Sequence, residues 1–483
     1  MRKLLAIAMS GAALAGCTLE PHYVRPTPAA PQAWPVGEAY PTTPAAPLPS
    51  LSYREVFKDP RLQAIIARAI ANNQDLQAAM ANVVIARSQY RVQRAELLPH
   101  IGASGGVTET HTKVQVVNPG GGVTAPRETT RSDSVDIGFS AFELDLFGRI
   151  RSLTHAAQAQ YFASQAGMRQ ARLTLVAEVA AADLTLATDR SLLTIAKDTV
   201  TSAKKSVDLT QARLSGGIAA RTDLRQAQTV LEQANSDVAN LTAIVAQDRN
   251  ALELLVGARV ADTDLPASIE EVDGLLAEAP AGLDSHILLR RPDVVQAEYN
   301  LRAANAQIGA ARANFFPTID LTTLAGAASP ALGQLFNGRN FNWTVSGSAA
   351  QTIFAGGANV ANLSLAKGQR QLALAQYQKA IQVAFSEVAD ALARRGTIDA
   401  QLAAQANLVA DATDQLSLAT ARYREGVDPF LNTLIAERTL YQARQTLAAS
   451  RLTRADNLVT LYRTLGGDEL IDTEPPPRLT LAR

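Results

Sequence analysis

Cysteine is almost absent from this 483-residue chain, with Cys17 as the only one. No intramolecular disulfide can therefore form. Aromatic residues make up only 5% of the chain, which suits extended helix pairs better than a globule with a thick aromatic core. The 45 basic and 45 acidic side chains balance, so charge gives no argument for a nucleic-acid partner. No segment after the N-terminus reaches the ~18 uninterrupted apolar residues of a transmembrane helix.

Signals of catalysis are also missing. Five histidines are scattered without metal-ligand spacing: His22, His100, His111, His155 and His286. There is no Walker loop and no G-x-S-x-G elbow with triad partners. We expect no enzyme activity, no cofactor and no metal site.

The N-terminus has the features of a secretory signal. Arg2 and Lys3 precede an apolar run at 4–15, and small residues lead into Cys17. Such a segment is too short to span a bilayer as a helix. It resembles the lipobox of bacterial lipoproteins, which implies that residues 1–16 are removed, that Cys17 carries palmitate-type acyl chains, and that Thr18 favours delivery to the outer membrane. Acyl chains anchor a protein without spanning the membrane. The alternative is an ordinary signal peptide with an incidental cysteine.

The chain after a Pro-rich tether contains an internal repeat. Three pairs anchor its alignment: Pro99 with Pro317, Gly217 with Gly426, and Gly257 with Gly466. The first pair lies 218 residues apart and the other two lie 209 apart. The first copy therefore has nine extra residues, which we place in the Gly/Pro-rich stretch 118–126.

Each copy predicts the same order of helices and strands. The segments are a signal peptide (1–16), a tether (17–58), a first repeat (59–257), a linker (258–287), a second repeat (288–466) and a C-terminal tail (467–483). In the first repeat we expect helices at about 60–98, 150–214 and 221–256, and strands at about 101–117 and 132–145. In the second we expect helices at about 292–316, 360–424 and 430–465, and strands at about 318–328 and 340–354.

The longest helices need neighbours. About 65 residues give roughly 100 Å of helix, which is unstable alone. Apolar residues recur every seventh position at Leu224, Leu231, Val238, Val245 and Leu252, which is typical of a coiled coil. A periplasmic coiled-coil rod explains this pattern as well as a wall of helices does.

The predicted strands distinguish a membrane duct from a periplasmic rod. Apolar and polar residues alternate along 134–141 and 341–348, as in a membrane β-strand. Four strands per chain are fewer than the about eight of the smallest bacterial barrels. Unpaired edges are prohibitive in lipid, so several chains must share one barrel, and three would give twelve strands. The alternative is a small soluble cap.

Four segments carry a family resemblance: 142–149 (FELDLFGR), 252–257, 288–294, and 303–312 followed by Phe315-Phe316-Pro317. They resemble the lipoprotein branch of the TolC-like outer-membrane factors, which are the OprM/NodT-like channels of resistance-nodulation-division efflux systems. The resemblance implies a mainly α fold with membrane β-structure. A homotrimer would form a twelve-stranded outer-membrane β-barrel, a periplasmic α-barrel of long helices, and an equatorial belt from about 20–58, 258–287 and 467–483.

The resemblance also implies passive conduction. A periplasmic adaptor and an inner-membrane pump, often of the resistance-nodulation-division class, would deliver drugs or other toxic molecules to the lipid-anchored duct, which contributes to antibiotic resistance. Two alternatives stay open. One is the exit duct of type I protein secretion, and the other is a lipid-tethered structural coiled coil.

The same resemblance assigns roles at the helical tips. It implies adaptor contacts at Arg213, Leu214, Ser215, Gly216, Gly217, Ile218, Arg422, Tyr423, Gly426 and Val427. Its gate positions hold Thr222, Asp223, Tyr423, Asp428 and Asn432. Asn432 and Ile435 stand where relatives carry acids, which puts a narrow acidic ring in doubt. Asp223 is expected to pair with Arg221 or Arg422, and the alternative is that these are solvated helix-end charges.

Overall fold

The computed structural model describes most of the chain. The described residues are 18–28, 30–31, 33–40, 52–113, 116–117, 123–124, 127–272, 274–276 and 285–467. The predicted signal peptide 1–16, Cys17 and the predicted tail beyond Gly467 lie outside them.

The elements follow the predicted order. The helices are α1 (Tyr53–Val56), α2 (Pro60–Asn72), α3 (Gln74–Ala95), α4 (Arg149–Ser215), α5 (Arg221–Val256), α6 (Ile269–Val272), α7 (Pro292–Ala313), α8 (Ala358–Arg424) and α9 (Phe430–Thr464). The strands are β1 (Gly102–Lys113), β2 (Val116–Val117), β3 (Val123–Thr124), β4 (Arg127–Glu143), β5 (Thr318–Ser329) and β6 (Phe341–Ala350). Short 3₁₀ turns occupy Asp262–Asp264, Ser285–Arg290, Leu332–Gln334 and Gly338–Asn340.

The first predicted helix, about 60–98, is wrong in one respect, because it is broken at Asn73. The Asn73 side chain accepts a hydrogen bond from the backbone N–H of Leu76 at 2.9 Å and donates one to the Leu255 carbonyl at 2.9 Å. An asparagine in this role caps a new helix, so α2 ends and α3 begins there.

The strand predicted at 340–354 ends earlier, at Ala350. Beyond it, Gly356 and Gly357 have φ angles of 56° and 88°. This left-handed backbone is incompatible with a strand and leads the chain into α8.

The nine extra residues of the first copy do not all lie at 118–126. Gly102 pairs with Gly138 in the first hairpin, and Asp320 pairs with Ser348 in the second. Gly102 and Asp320 are 218 residues apart, whereas Gly138 and Ser348 are 210 apart, so eight extra residues lie within the first hairpin. The ninth lies in a bulge of β4 between Phe139 and Phe142. Beyond the bulge α4 and α8 have the same length of 67 residues.

The chain divides into two compact units. Unit 1 comprises 1–26, 84–163 and 298–375, and unit 2 comprises 27–83, 164–297 and 376–483. Unit 1 contains an antiparallel sheet in the order β1-β4-β5-β6. Unit 2 has a core of fully buried apolar side chains, in which Phe57 meets Tyr462 edge-on with ring centroids 5.3 Å apart.

Part of the predicted tether is fixed on α7 within unit 1. Glu298 accepts hydrogen bonds from Arg25 at 2.7 Å and from Arg302 at 2.6 Å. Asn305 donates to the Pro21 carbonyl at 2.7 Å. A Cβ at Gly309 would lie 2.8 Å from the Cα of Glu20, so only glycine permits this close approach.

A buried acid in unit 2 carries an electrostatic cost. Asp183 of α4 is 1% exposed, and its Oδ1 has no hydrogen-bond partner among the described residues. Burial, followed by the nearby charge of Asp59, raises the pKa of Asp183 to about 7, although Arg61 and Arg190 oppose the shift. The folded chain therefore favours the neutral acid.

We expect Asp183→Asn to raise the melting temperature by roughly 3–6 °C at pH 8 and by less at pH 6. Because the folded pKa lies above the ordinary value of 3.8, the wild type gains stability as the pH falls through 7 towards 4. The amide removes the penalty that the carboxylate causes above pH 7. Calorimetry of the wild type, the variant and Asp198→Asn, an exposed acid on the same helix, would check this. An equal gain at both pH values would contradict it.

Candidate functional site

The sheet of unit 1 has one mainly apolar face. Residues directly opposite each other on paired strands share a face. Trp343 lies opposite Ala325, which lies opposite Ile137, which in turn lies opposite Ala103. In β6 Trp343 is 69% exposed. An aromatic side chain this open on a continuous apolar face is suited to contact with lipid.

The other face is mainly polar. Moving one residue along each strand gives Ser104, Asp136, Gly326 and Asn342 in one row. Further rows add Thr108, Ser132, Ser134, Thr322, Thr344 and Ser346. The predicted alternation is confirmed in β4 and β6. In β1 it holds only as far as Val107, because Glu109 and His111 follow on the same face.

Both edges of this sheet are open in the single chain. β1 and β6 are the outer strands of the four-stranded order, so each offers a row of backbone N–H and C=O groups to a further strand. Within the described part of the chain, no helix is both long enough and apolar enough to cross a membrane.

The segment 142–149 turns the chain from strand into helix. The Asp145 carboxylate accepts hydrogen bonds from the backbone N–H groups of Ile150 at 3.1 Å and Arg151 at 2.8 Å. Glu143 binds the Arg149 guanidinium, with the Nε–Oε1 distance at 2.9 Å. Gly148 has a φ of 76°, so the sharp entry into α4 depends on a glycine followed by a capped helix.

In unit 2 the two copies end in equivalent tip turns. Gly217 and Gly426 both have a φ of 75°. The N–H of Ile218 donates to the Arg213 carbonyl at 3.0 Å, and the N–H of Val427 donates to the Arg422 carbonyl at 2.9 Å. Both helices therefore end in a glycine C-cap. The predicted tip residues lie in these two turns, with Ile218 67% and Val427 61% exposed.

Tyr423 is a buried part of the tip. It is 4% exposed and packs with Ala227, Phe430 and Leu434. The Arg213 guanidinium lies 4.6 Å from the centre of the Tyr423 ring, and it donates to the Tyr423 carbonyl at 3.1 Å. This cation–π contact joins the end of α4 to the end of α8.

The charged groups pair differently from the sequence-based expectation. Arg422 donates to Asp428, with the Nε–Oδ2 distance at 2.6 Å, and this contact lowers the pKa of the Asp428 carboxyl. Asp223 accepts from the backbone N–H of Ala220 at 3.4 Å, so it caps α5. The expected pairing of Arg422 with Asp223 is therefore replaced by one with Asp428.

Asp428, Asn432 and Arg422 lie together along a groove of about 500 Å³ between α8 and α9. Asp411 and Asp414 also line it. Sequence reasoning missed these two acids, because exposed acids on a long helix resemble an ordinary solvated face. Among the other gate candidates, Thr222 is exposed at the start of α5.

Comparison with known proteins identifies relatives along nearly the whole chain. The family model for outer membrane efflux proteins matches residues 65–258 and 283–467. The probable efflux pump outer membrane protein TtgC of Pseudomonas putida is 40% identical over 469 residues, which cover 96% of each chain. The cation efflux system protein CusC of Escherichia coli is 36% identical over 459 residues, covering 94% of this chain and 97% of CusC.

A solved structure also matches nearly the whole chain. The open state of the MtrE outer membrane channel of Neisseria gonorrhoeae superposes with a TM-score of 0.82 at 34% identity. The match covers 94% of this chain and 98% of MtrE.

Proposed function

Because the chain belongs to the outer membrane efflux protein family and is an outer-membrane channel subunit of an efflux system, we propose that three copies form one passive duct for drugs and other small toxic molecules. The observation that carries a barrel shared between copies is the sheet with an apolar face, a polar face and two open edges; the number of three copies comes from the family resemblance. In lipid, open edges leave backbone groups without hydrogen bonds, so a closed sheet is required. Four strands are too few to close, and three copies supply twelve.

The internal repeat supports a specific register between neighbouring copies. Within one chain, β4 of the first copy pairs with β5 of the second, for example Ile137 with Ala325. The repeat offsets of 210 and 218 carry this pair onto Gly347 of one chain and Val107 of the next. We propose that β6 and the neighbouring β1 pair in this register.

A double variant, Gly347→Cys with Val107→Cys, is expected to form disulfide-linked dimers and trimers on mild oxidation. Residues opposite each other on antiparallel strands have Cβ atoms about 4.5–5.5 Å apart, near the range that a disulfide needs. Denaturing electrophoresis without reductant measures the yield. The control pair, Gly347→Cys with Lys113→Cys, lies six residues out of register, about 20 Å along the strand, and is expected to stay monomeric. Equal yields from both pairs would contradict the register.

The tips supply the docking end of the proposed duct. Exposed Ile218 and Val427, at equivalent places in two rigid turns, offer apolar contacts for a periplasmic adaptor that connects to an inner-membrane pump of the resistance-nodulation-division class. The proposed contact set is Arg213, Leu214, Ser215, Gly216, Gly217, Ile218, Arg422, Gly426 and Val427. Tyr423, which was predicted with them, is left out because its side chain is 4% exposed and packs inside the tip. Acylation at Cys17 would anchor each chain in the outer membrane.

The Arg422–Asp428 ion pair is proposed to help close the tip. We expect Asp428→Asn to raise single-channel conductance in planar bilayers, because it removes the partner that holds Arg422. The matched control is Glu425→Gln, which removes the same charge from an exposed residue in the same turn. An unchanged trace for Asp428→Asn would exclude this ion pair from closure.

The cargo is tested in cells. Deletion of the gene is expected to increase accumulation of an ethidium-type dye several-fold while leaving secretion of extracellular proteins unchanged. Restoring the wild-type gene should reverse the accumulation. Loss of a secreted protein with normal dye export would instead support the exit duct of type I secretion.

A further inference from the structure

A second groove, in unit 2, lies between α5 and α9, with Thr199 of α4 also in its lining, and it shares Leu434 with the buried cluster of the tip. Its volume is about 690 Å³, within the range of small-molecule sites. We call it the amide groove, after the glutamines that line it: Gln226, Gln233, Gln442 and Gln445. Thr199, Thr229, Asp237, Glu437 and Tyr441 add further polar groups, and Val230, Leu431 and Leu434 supply apolar surface.

One carboxyl group in this groove is buried and incompletely bonded. Glu437 is 4% exposed, and its Oε1 has no hydrogen-bond partner among the described residues. Its Oε2 is 3.5 Å from the Ser206 hydroxyl, a marginal hydrogen bond. Burial raises the pKa of Glu437, while Ser202 and Ser206 oppose the shift. A buried acceptor without a partner is costly, so the groove favours a ligand that supplies a donor.

The other charged groups of the groove leave a net negative lining. Asp237 accepts a hydrogen bond from the Tyr441 hydroxyl at 2.7 Å, which places a second carboxylate on the opposite helix. Arg438 also lines the groove, but it is an exposed residue, and solvent screens a charge in that position. Two carboxyl groups therefore face one screened guanidinium.

We propose that the amide groove binds a small amphiphilic organic cation, whose protonated amine pairs with Glu437 and whose apolar part lies against Val230, Leu431 and Leu434. A charge-assisted hydrogen bond to the buried carboxylate satisfies its free oxygen. The apolar side chains favour a carbon-rich cation over a metal ion. Within the described residues there is no group of three His, Cys, Asp or Glu side chains suited to a metal.

The repeat indicates that this site belongs to one copy alone. The position equivalent to Glu437, 209 residues earlier, is Gln228. A glutamine is therefore compatible with this place in the helix, and Glu437→Gln removes the charge while nearly keeping the shape. The site would occur once per chain.

Binding to the full-length protein in detergent tests the proposal, with benzylammonium as the probe and neutral benzyl alcohol as its matched control. We expect titration calorimetry to show benzylammonium binding at least ten-fold more tightly than the alcohol. Glu437→Gln should weaken benzylammonium binding at least ten-fold. Glu232→Gln, an exposed acid on α5 outside the groove, should change it less than two-fold.

The remaining outcomes overturn the proposal. Equal binding of the amine and the alcohol would mean a merely apolar groove, and no binding of either would mean that water satisfies Glu437. Unchanged affinity in Glu437→Gln would place the amine elsewhere. Because the readout is binding and not export, the proposed duct can stand when this site fails, and the reverse also holds.

Discussion

The unpaired backbone N–H and C=O groups at the two edges of the sheet are the constraint on which the rest of the structure depends. β1 and β6 each have one neighbouring strand within the chain. An apolar face as open as that around Trp343 is unfavourable in water. One arrangement satisfies the unpaired edges and places the apolar face in lipid: identical chains pair edge to edge until the sheet closes. The long helices have the same need on another scale, because a 67-residue helix requires neighbours along its length.

The two copies of the repeat are alike where the backbone must be left-handed, and they differ in the length of one hairpin and in one strand. Gly217 and Gly426 share a φ of 75°, and Gly148 and Gly357, 209 residues apart, are both left-handed. The differences are an eight-residue extension of the first hairpin and one bulge residue in β4. Insertions are tolerated in surface loops far more readily than in a packed wall of helices.

Most of the fold was predictable from the sequence, since periodicity over long segments is a strong signal. The two 67-residue helices and β5 lie within a few residues of their predicted places. The other main strands differ by four or five residues at one end: β1 ends at Lys113, β4 begins at Arg127 and β6 ends at Ala350. The break at Asn73 was not predictable, because it depends on a hydrogen bond to Leu255, 182 residues away. The predicted pairing of the charged tip residues was wrong for a similar reason. Whether Arg422 meets Asp223 or Asp428 depends on the turn that brings them together, and the spacing of charges along a helix does not encode it. Glu437 gave no sequence signal, since its burial arises from packing between helices.

The covalent link between the two copies has a consequence for assembly. The β4–β5 seam forms within one chain, so its effective concentration is fixed and does not fall on dilution. In the proposed trimer the β6–β1 seams are bimolecular contacts between separate chains and obey mass action. Half of the seams between repeat units are thus independent of expression level. Because each chain carries two repeat units, assembly of the proposed ring is a three-body association and not a six-body one. In that ring the β6–β1 seams are where opening begins when subunits are scarce.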